Sequence, residues 1–212
     1  MKELLIIGAR GFGREIYNLA KRCHGYNINW KIKGYLDDKS DALDDFPDYP
    51  PIIDSVEKYE VKPEDVFVCA LGDVKQKLKY VMMIKDKGGI FLSLVHETSV
   101  IYNGTQHGEG LILFPFTHIT CNVRIGNWVT ILPFSVLGHD VTLGNFCHLN
   151  SYSFLGGFTS VGNLVTINTG ATIVPGMNIG DEAVIGAGSV VIKNVPPKCT
   201  VFGNPARKVN IQ

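Results

Sequence analysis

Five histidines crowd the second half of this chain: His96, His107, His118, His139 and His148. His139 is followed directly by a carboxylate, Asp140, in the run LGHDVT. An imidazole of ordinary pKa, near ~6.5, is largely neutral at neutral pH and accepts a proton. A carboxylate beside it fixes the tautomer and stabilises the imidazolium that forms. The pair therefore reads as a general base with its orienting acid, against the plainer reading of a surface histidine with a chance acidic neighbour. A second group lies at the N-terminus, where GARGFG places Arg10 and Phe12 among Gly8, Gly11 and Gly13. A glycine-rich turn from strand to helix lets backbone amides approach a phosphate closely. Asp37 and Asp38 end the next strand-like run, and Gly72 ends VFVCALG. Arg10, Gly11, Phe12, Asp37, Asp38 and Gly72 are thus expected to line one crevice that takes phosphate and ribose or uracil-type groups. Packing of the glycines, with no ligand, is the competing reading. The spacing is not GxGxxG and the segment is short, which weighs against a dehydrogenase.

The elements that must position these residues differ between the halves. Residues 1–94 hold fifteen basic and fifteen acidic residues, and residues 95–190 hold one basic residue, Arg124, and five acidic ones. That break predicts a domain boundary near residue 94. The first part alternates β-α-β, with strands at LLIIG, KIKGYLDD, VFVCALG and IFLSLV and helices over about 12–23 and 73–87. This predicts an α/β domain with a small parallel sheet, about half of a Rossmann-type fold.

From Val95 to Val191 an aliphatic residue recurs every six positions, with His107 the sole exception. Helices and ordinary strands repeat at 3.6 and 2, so neither explains the pattern, and an ordinary β-sandwich would need turn signals at wider spacing. The run resembles the hexapeptide signature of an all-β left-handed parallel β-helix, with eighteen residues per three-sided coil. Domains are accordingly expected at 1–94, 95–191 and a C-terminal tail at 192–212. Gly, Asn and Asp just after the aliphatic, as in IGNWVT, LGNFCH, VGNLVT and IGDEAV, are read as corners needing unusual backbone angles. Three positions after the aliphatic, residues eighteen apart form the columns Phe116–Phe134–Tyr152, Trp128–Phe146–Leu164 and Asn122–Asp140–Phe158. They suggest two greasy faces and one polar face. Outward aromatic ladders exceed what a monomer usually leaves in water, so a homotrimer with side-by-side coils is expected, with packing by the N-terminal domain as the alternative cover.

GHDVTLGNFCHLNSYSFLGG is similar to the catalytic segment of the sialic-acid O-acetyltransferase and nucleotide-linked amino-sugar N-acetyltransferase family. The resemblance implies that His139 is the base and Asp140 its partner, and that His148 contacts the acetyl-CoA end. It implies that Gly157, Thr169 and Ala187 touch acetyl-CoA through the backbone. VFGNPARKV resembles the closing segment of such enzymes, bringing Lys193, Arg207 and Lys208 near the coenzyme. The N-terminal domain would bind the nucleotide of a nucleotide-sugar, with Phe12 standing where several relatives carry a polar or histidine residue. Two alternatives are a non-catalytic nucleotide-sugar-binding scaffold and a zinc-dependent β-helix hydratase, although the histidines fall at different points around the coil and no metal is expected. Equal numbers of acidic and basic residues, twenty each, give no reason to expect nucleic acid or an anionic membrane as partner. Five widely spaced cysteines without a CxxC pair, and an N-terminus lacking a signal or spanning pattern, suggest a cytoplasmic protein.

Overall fold

The structure, a computed structural model, describes residues 1–209. It divides into two compact units, Met1–Glu97 and a second beginning at Thr98. The first contains β1 (Lys2–Ile7), α1 (Gly11–Ala20), β2 (Trp30–Leu36), β3 (Ile52–Asp54), β4 (Asp65–Cys69) and α2 (Val74–Asp86). Its strands are parallel, in the order β3-β2-β1-β4. The LLII run of β1 and the DVFVC of β4 are buried, as expected of a sheet covered on both faces. The chain runs outward from β1 to β3 and then returns to place β4 on the other side of β1. The carboxyl ends of β1 and β4 therefore flank a topological switch point, the usual ligand crevice of open α/β sheets. Asp73 caps α2 by accepting from the N–H groups of Lys75 and Gln76 at 2.9 and 2.8 Å. The strand expected over IFLSLV is reduced to a bridge between Phe91 and Phe67 and to a short strand at Leu94–Val95. Phe91 and Leu94 are the buried residues there, and a spacing of three cannot follow strand alternation.

One polar cluster lies inside this unit. The Asp65 carboxylate accepts from Lys33 Nζ at 2.8 Å, from the Tyr59 hydroxyl at 2.7 Å and from the Lys62 N–H at 2.8 Å. Burial would raise its pKa, but these donors outweigh burial and hold it below the usual carboxylate range. Lys33 also pairs with Glu3 at 2.9 Å.

The second unit is a left-handed parallel β-helix of two-residue strands whose partners lie eighteen positions apart, such as Arg124 with Thr142 and Val136 with Phe154. The hexad aliphatics from Ile119 to Val191 fill its interior, none more than 5% exposed. Ile101 and His107, in the first hexads, are exposed. The corners differ from expectation. The unusual angles occur three residues after the aliphatic: Phe116, Asn122, Trp128, Phe134, Asp140, Phe146, Tyr152, Phe158 and Leu164 all have φ between 52° and 62°. These columns are therefore three corners, not three faces. At one corner the rings of Phe116, Phe134 and Tyr152 stack at 5.2 and 5.1 Å, which helps to offset the cost of left-handed backbone at non-glycine residues. The glycine after the aliphatic serves clearance instead. A methyl group on Gly144 would lie 2.6 Å from the Gly162 carbonyl of the next coil.

The asparagines that follow these glycines form a ladder. The N–H groups of Glu109, Asn127 and Asn145 donate to the side-chain oxygens of Asn127, Asn145 and Asn163 at 2.9, 2.8 and 2.8 Å. Asn163 closes the series by donating to Asp181 Oδ1 at 2.6 Å. Beyond Val191, Thr200–Phe202 adds another strand to the sheet by pairing with Val184–Ile185, and Arg207–Lys208 pairs back antiparallel to it.

Candidate active site

His139 and Asp140 occupy one corner of the β-helix, where the left-handed turn at Asp140 (φ 58°) brings its side chain back to its neighbour. His139 Nδ1 lies 2.8 Å from Asp140 Oδ2. A carboxylate only accepts, so Nδ1 donates to it, and in the neutral ring the lone pair falls on Nε2. The imidazole side chain is 53% exposed, which leaves Nε2 accessible. Gly157 lies one coil on, and the imidazole occupies the space that a side chain there would need: a methyl at Gly157 would lie 2.7 Å from both Cε1 and Nε2 of His139. Phe158 stands across the ring, centroids 4.9 Å apart and planes at 87°. The corner thus supplies an imidazole oriented through Nδ1, whose Nε2 can take a proton and return it.

The other residues expected at acetyl-CoA lie elsewhere on the same chain. Thr169 and Ala187 are exposed and share the corner of the Phe116–Phe134–Tyr152 ladder, their coils joined by the Gly188 N–H donating to the Thr169 carbonyl at 2.9 Å. Between that corner and His139 runs the face whose outward residues include Val136 and Phe154. His148 is on a different face, in the strand paired with Thr130 and Thr166, and is 4% exposed. One chain therefore brings His139, Asp140 and Gly157 together and keeps Thr169, Ala187 and His148 apart from them. Lys193, Arg207 and Lys208 line a cavity of about 310 Å³ at the C-terminal end of the β-helix.

The first unit holds its own pocket, about 430 Å³, at the switch point. Arg10, Phe12, Asp37, Asp38 and Gly72 line it, together with Gly8, Gln76 and Tyr80; Gly11 is not among the lining residues. Gly8 adopts φ 96°, which turns the chain out of β1, and a methyl on Gly13 would overlap the Gly8 carbonyl, so glycine lets α1 start against the strand end. Arg10, at the N-cap of α1, makes no capping bond with its side chain. The Asp37 oxygens accept from the N–H groups of Ala9 at 2.8 Å and Lys39 at 2.9 Å. Asp37 thus ties the glycine turn to the end of β2. Asp38 instead accepts from the Tyr80 hydroxyl at 2.5 Å, and that bond, with burial, pushes the Tyr80 pKa up to about 12. Tyr80 and Gln76 were missed in the sequence because a helix face gives no sign of which strand end it overlooks. Phe158 was missed as a neighbour of His139 because the columns were read as faces.

Among the described residues the one grouping of three potential metal ligands is Glu3, Glu64 and Asp65. The Lys33 ammonium bridges two of its carboxylates. His107, His118, His139 and His148 are not gathered: His118 packs edge-on to Tyr102 at 4.9 Å, and His107 Nδ1 meets the Gly108 carbonyl at 2.8 Å. No helix of the described residues is long and apolar enough to cross a membrane.

Residues 3–84 match the family described as the PglD N-terminal domain. No curated protein matches the chain in sequence. Among solved structures, PerB from Caulobacter crescentus, in complex with CoA and GDP-perosamine, is 24% identical, with 99% of this chain and 98% of that one covered at a TM-score of 0.89. WeeI from Acinetobacter baumannii AYE is 27% identical over 99% of this chain and 100% of that one, TM-score 0.87. The acetyltransferase domain of PglB from Neisseria gonorrhoeae FA1090, in complex with acetyl coenzyme A, is 23% identical over 98% and 99%, TM-score 0.89. Residues 3–84 thus match the PglD N-terminal domain family, and the whole chain shares its fold with PerB, WeeI and the acetyltransferase domain of PglB.

Proposed function

We propose that this protein transfers an acetyl group from acetyl-CoA to an amine of a nucleotide-linked sugar, with His139 as general base. The carrying observation is the imidazole bound through Nδ1 to Asp140 at 2.8 Å, leaving Nε2 free to accept. As the acceptor nitrogen attacks the thioester carbonyl, its proton passes to Nε2, and Asp140 stabilises the imidazolium. The Gly157 N–H is assigned to the developing oxyanion, since the N–H groups of Gly156 and Phe158 donate to the carbonyls of Ile173 and His139. Collapse of the tetrahedral species breaks the C–S bond, and the imidazolium returns its proton to the departing CoA thiolate. An amine is preferred to a hydroxyl because the PerB structure holds CoA with GDP-perosamine, and a similar structure from the same organism is described as a perosamine N-acetyltransferase.

Arg10, Phe12, Asp38 and Gly72 are assigned to the nucleotide, with Asp37 holding the turn. The CoA bound by the structural relatives supports assigning Thr169, Ala187 and His148 to acetyl-CoA, and Lys193, Arg207 and Lys208 to its phosphates. Because Thr169 and Ala187 share no corner with His139, a groove between two copies would join them, and we assign the chain to a homotrimer. The exposed Phe116, Phe134 and Tyr152 (56%, 46% and 60%) support that assembly. The test is release of free CoA from acetyl-CoA with UDP-, GDP-, dTDP- and CMP-linked amino sugars. His139→Ala should lower turnover by about 10² to 10⁴; full turnover in that variant refutes the assignment.

A further inference from the structure

We propose that Phe158 is a positioning residue for the His139 imidazole, acting as a wall beside the Gly157 floor and the Asp140 tether; the inference rests on His139 serving as the base. The contact is direct, with the two rings nearly perpendicular and their centroids 4.9 Å apart. Phe158 is also an expensive choice at this place. It is 65% exposed, so little of its surface is withdrawn from water, and its φ of 60° disfavours a bulky side chain. Elsewhere such corner aromatics stack on one another, as Phe116, Phe134 and Tyr152 do. In this column the neighbours are Asn122, Asp140 and Gly176, so no aromatic ladder accounts for the ring. Its ring partner is the imidazole.

The consequence concerns the direction of Nε2. With Nδ1 bound to Asp140, the imidazole can still swing about its side-chain torsions, at the expense of that bond. The Gly157 backbone and the Phe158 ring, both from the following coil, limit that swing from two directions. Proton acceptance depends on keeping the lone pair aimed, since a misplacement of about 1 Å can lower a rate by roughly 10²-fold.

The test uses the full chain as Phe158→Asn and Phe158→Tyr, with His139→Ala alongside. Asn122 already adopts φ 59° at the same corner, two coils before Phe158, so asparagine suits the backbone there. Turnover is followed with acetyl-CoA and the nucleotide-linked amino sugar that releases CoA, and the His139 ring nitrogens are followed by ¹⁵N NMR. Phe158→Asn should lower kcat about tenfold with both KM values within about twofold, and should replace the single Nδ1–H form by an averaged pair of tautomers. Phe158→Tyr should restore both. The inference is overturned when Phe158→Asn keeps wild-type kcat and ring shifts while His139→Ala is inactive. It is equally overturned when the acceptor KM alone rises, which would make Phe158 a substrate contact. Full turnover in His139→Ala overturns the base assignment, and this inference with it.

Discussion

Gly157→Ala separates catalysis from folding at a single methyl group. The added Cβ would stand 2.7 Å from Cε1 and Nε2 of His139 and 3.1 Å from Cδ2. Ordinary contact begins near 3.4 Å, so the imidazole must retreat by roughly 0.7 Å. The atoms that must move are the end of an exposed side chain, and Gly157 does not occupy the left-handed region, so alanine fits the backbone. Folding stability should change by less than about 1 kcal/mol. The retreat pulls Nδ1 from Asp140 and displaces Nε2, which should lower kcat by about 10- to 100-fold. CoA release, detected by thiol titration, measures the first quantity, and thermal unfolding the second. Wild-type kcat in Gly157→Ala would refute the claim that the imidazole rests on this glycine, and so would a fall in Tm of more than about 5 °C, because the clash would then have spread beyond the side chain.

Three further expectations concern the scaffold. Gly144→Ala, whose methyl would press on the Gly162 backbone, should destabilise the β-helix by at least about 2 kcal/mol, because backbone cannot step aside as a side chain can; an unchanged denaturation midpoint would contradict this. Asp65→Asn should cost the first unit about 2 kcal/mol at pH 7, since it leaves Lys33 with only the less buried Glu3 as counter-charge. Because the folded Asp65 and Glu3 pKa values are lowered, their contribution is complete above the unfolded carboxylate range and disappears as pH falls through the folded values. Wild type should therefore lose stability below about pH 4 more steeply than Asp65→Asn, and parallel urea midpoints for the two proteins would show the reasoning wrong. Phe134→Glu places a charge in the exposed aromatic ladder and should shift sedimentation from the proposed trimer toward monomer, with loss of turnover; an intact, active trimer would remove this corner from the interface.

The solenoid was legible because its signal is arithmetic: one aliphatic per six residues can be counted without knowing any contact. The His139–Asp140 pair was legible because its members adjoin in sequence. What surrounds them was less so. The hexad count says which residues stack, but it does not say where the chain bends, and so the Phe158 column passed for part of a face. The role of glycine was likewise misplaced by one step of reasoning, since clearance beneath Asn145 or Asp181 and left-handed backbone both call for small or polar residues near a corner. In the first unit the crevice could be located from the ends of successive strands. The division of labour between Asp37 and Asp38 could not, because it depends on which carboxylate faces the Ala9 and Lys39 amides and which faces Tyr80.

The asparagine ladder also restricts how this sequence can change in length. Each rung joins an amide to a side chain eighteen positions later, from Glu109 through Asn127, Asn145 and Asn163 to Asp181. Inserting one residue between two rungs would offset that donor from its acceptor, along with every other eighteen-residue pair that spans the insertion, and would turn aliphatics of that coil toward water. Evolution is left with gains and losses of whole coils, or with loops that bulge out and rejoin in phase, and the step between His139 and its neighbours along the column is fixed to the same unit.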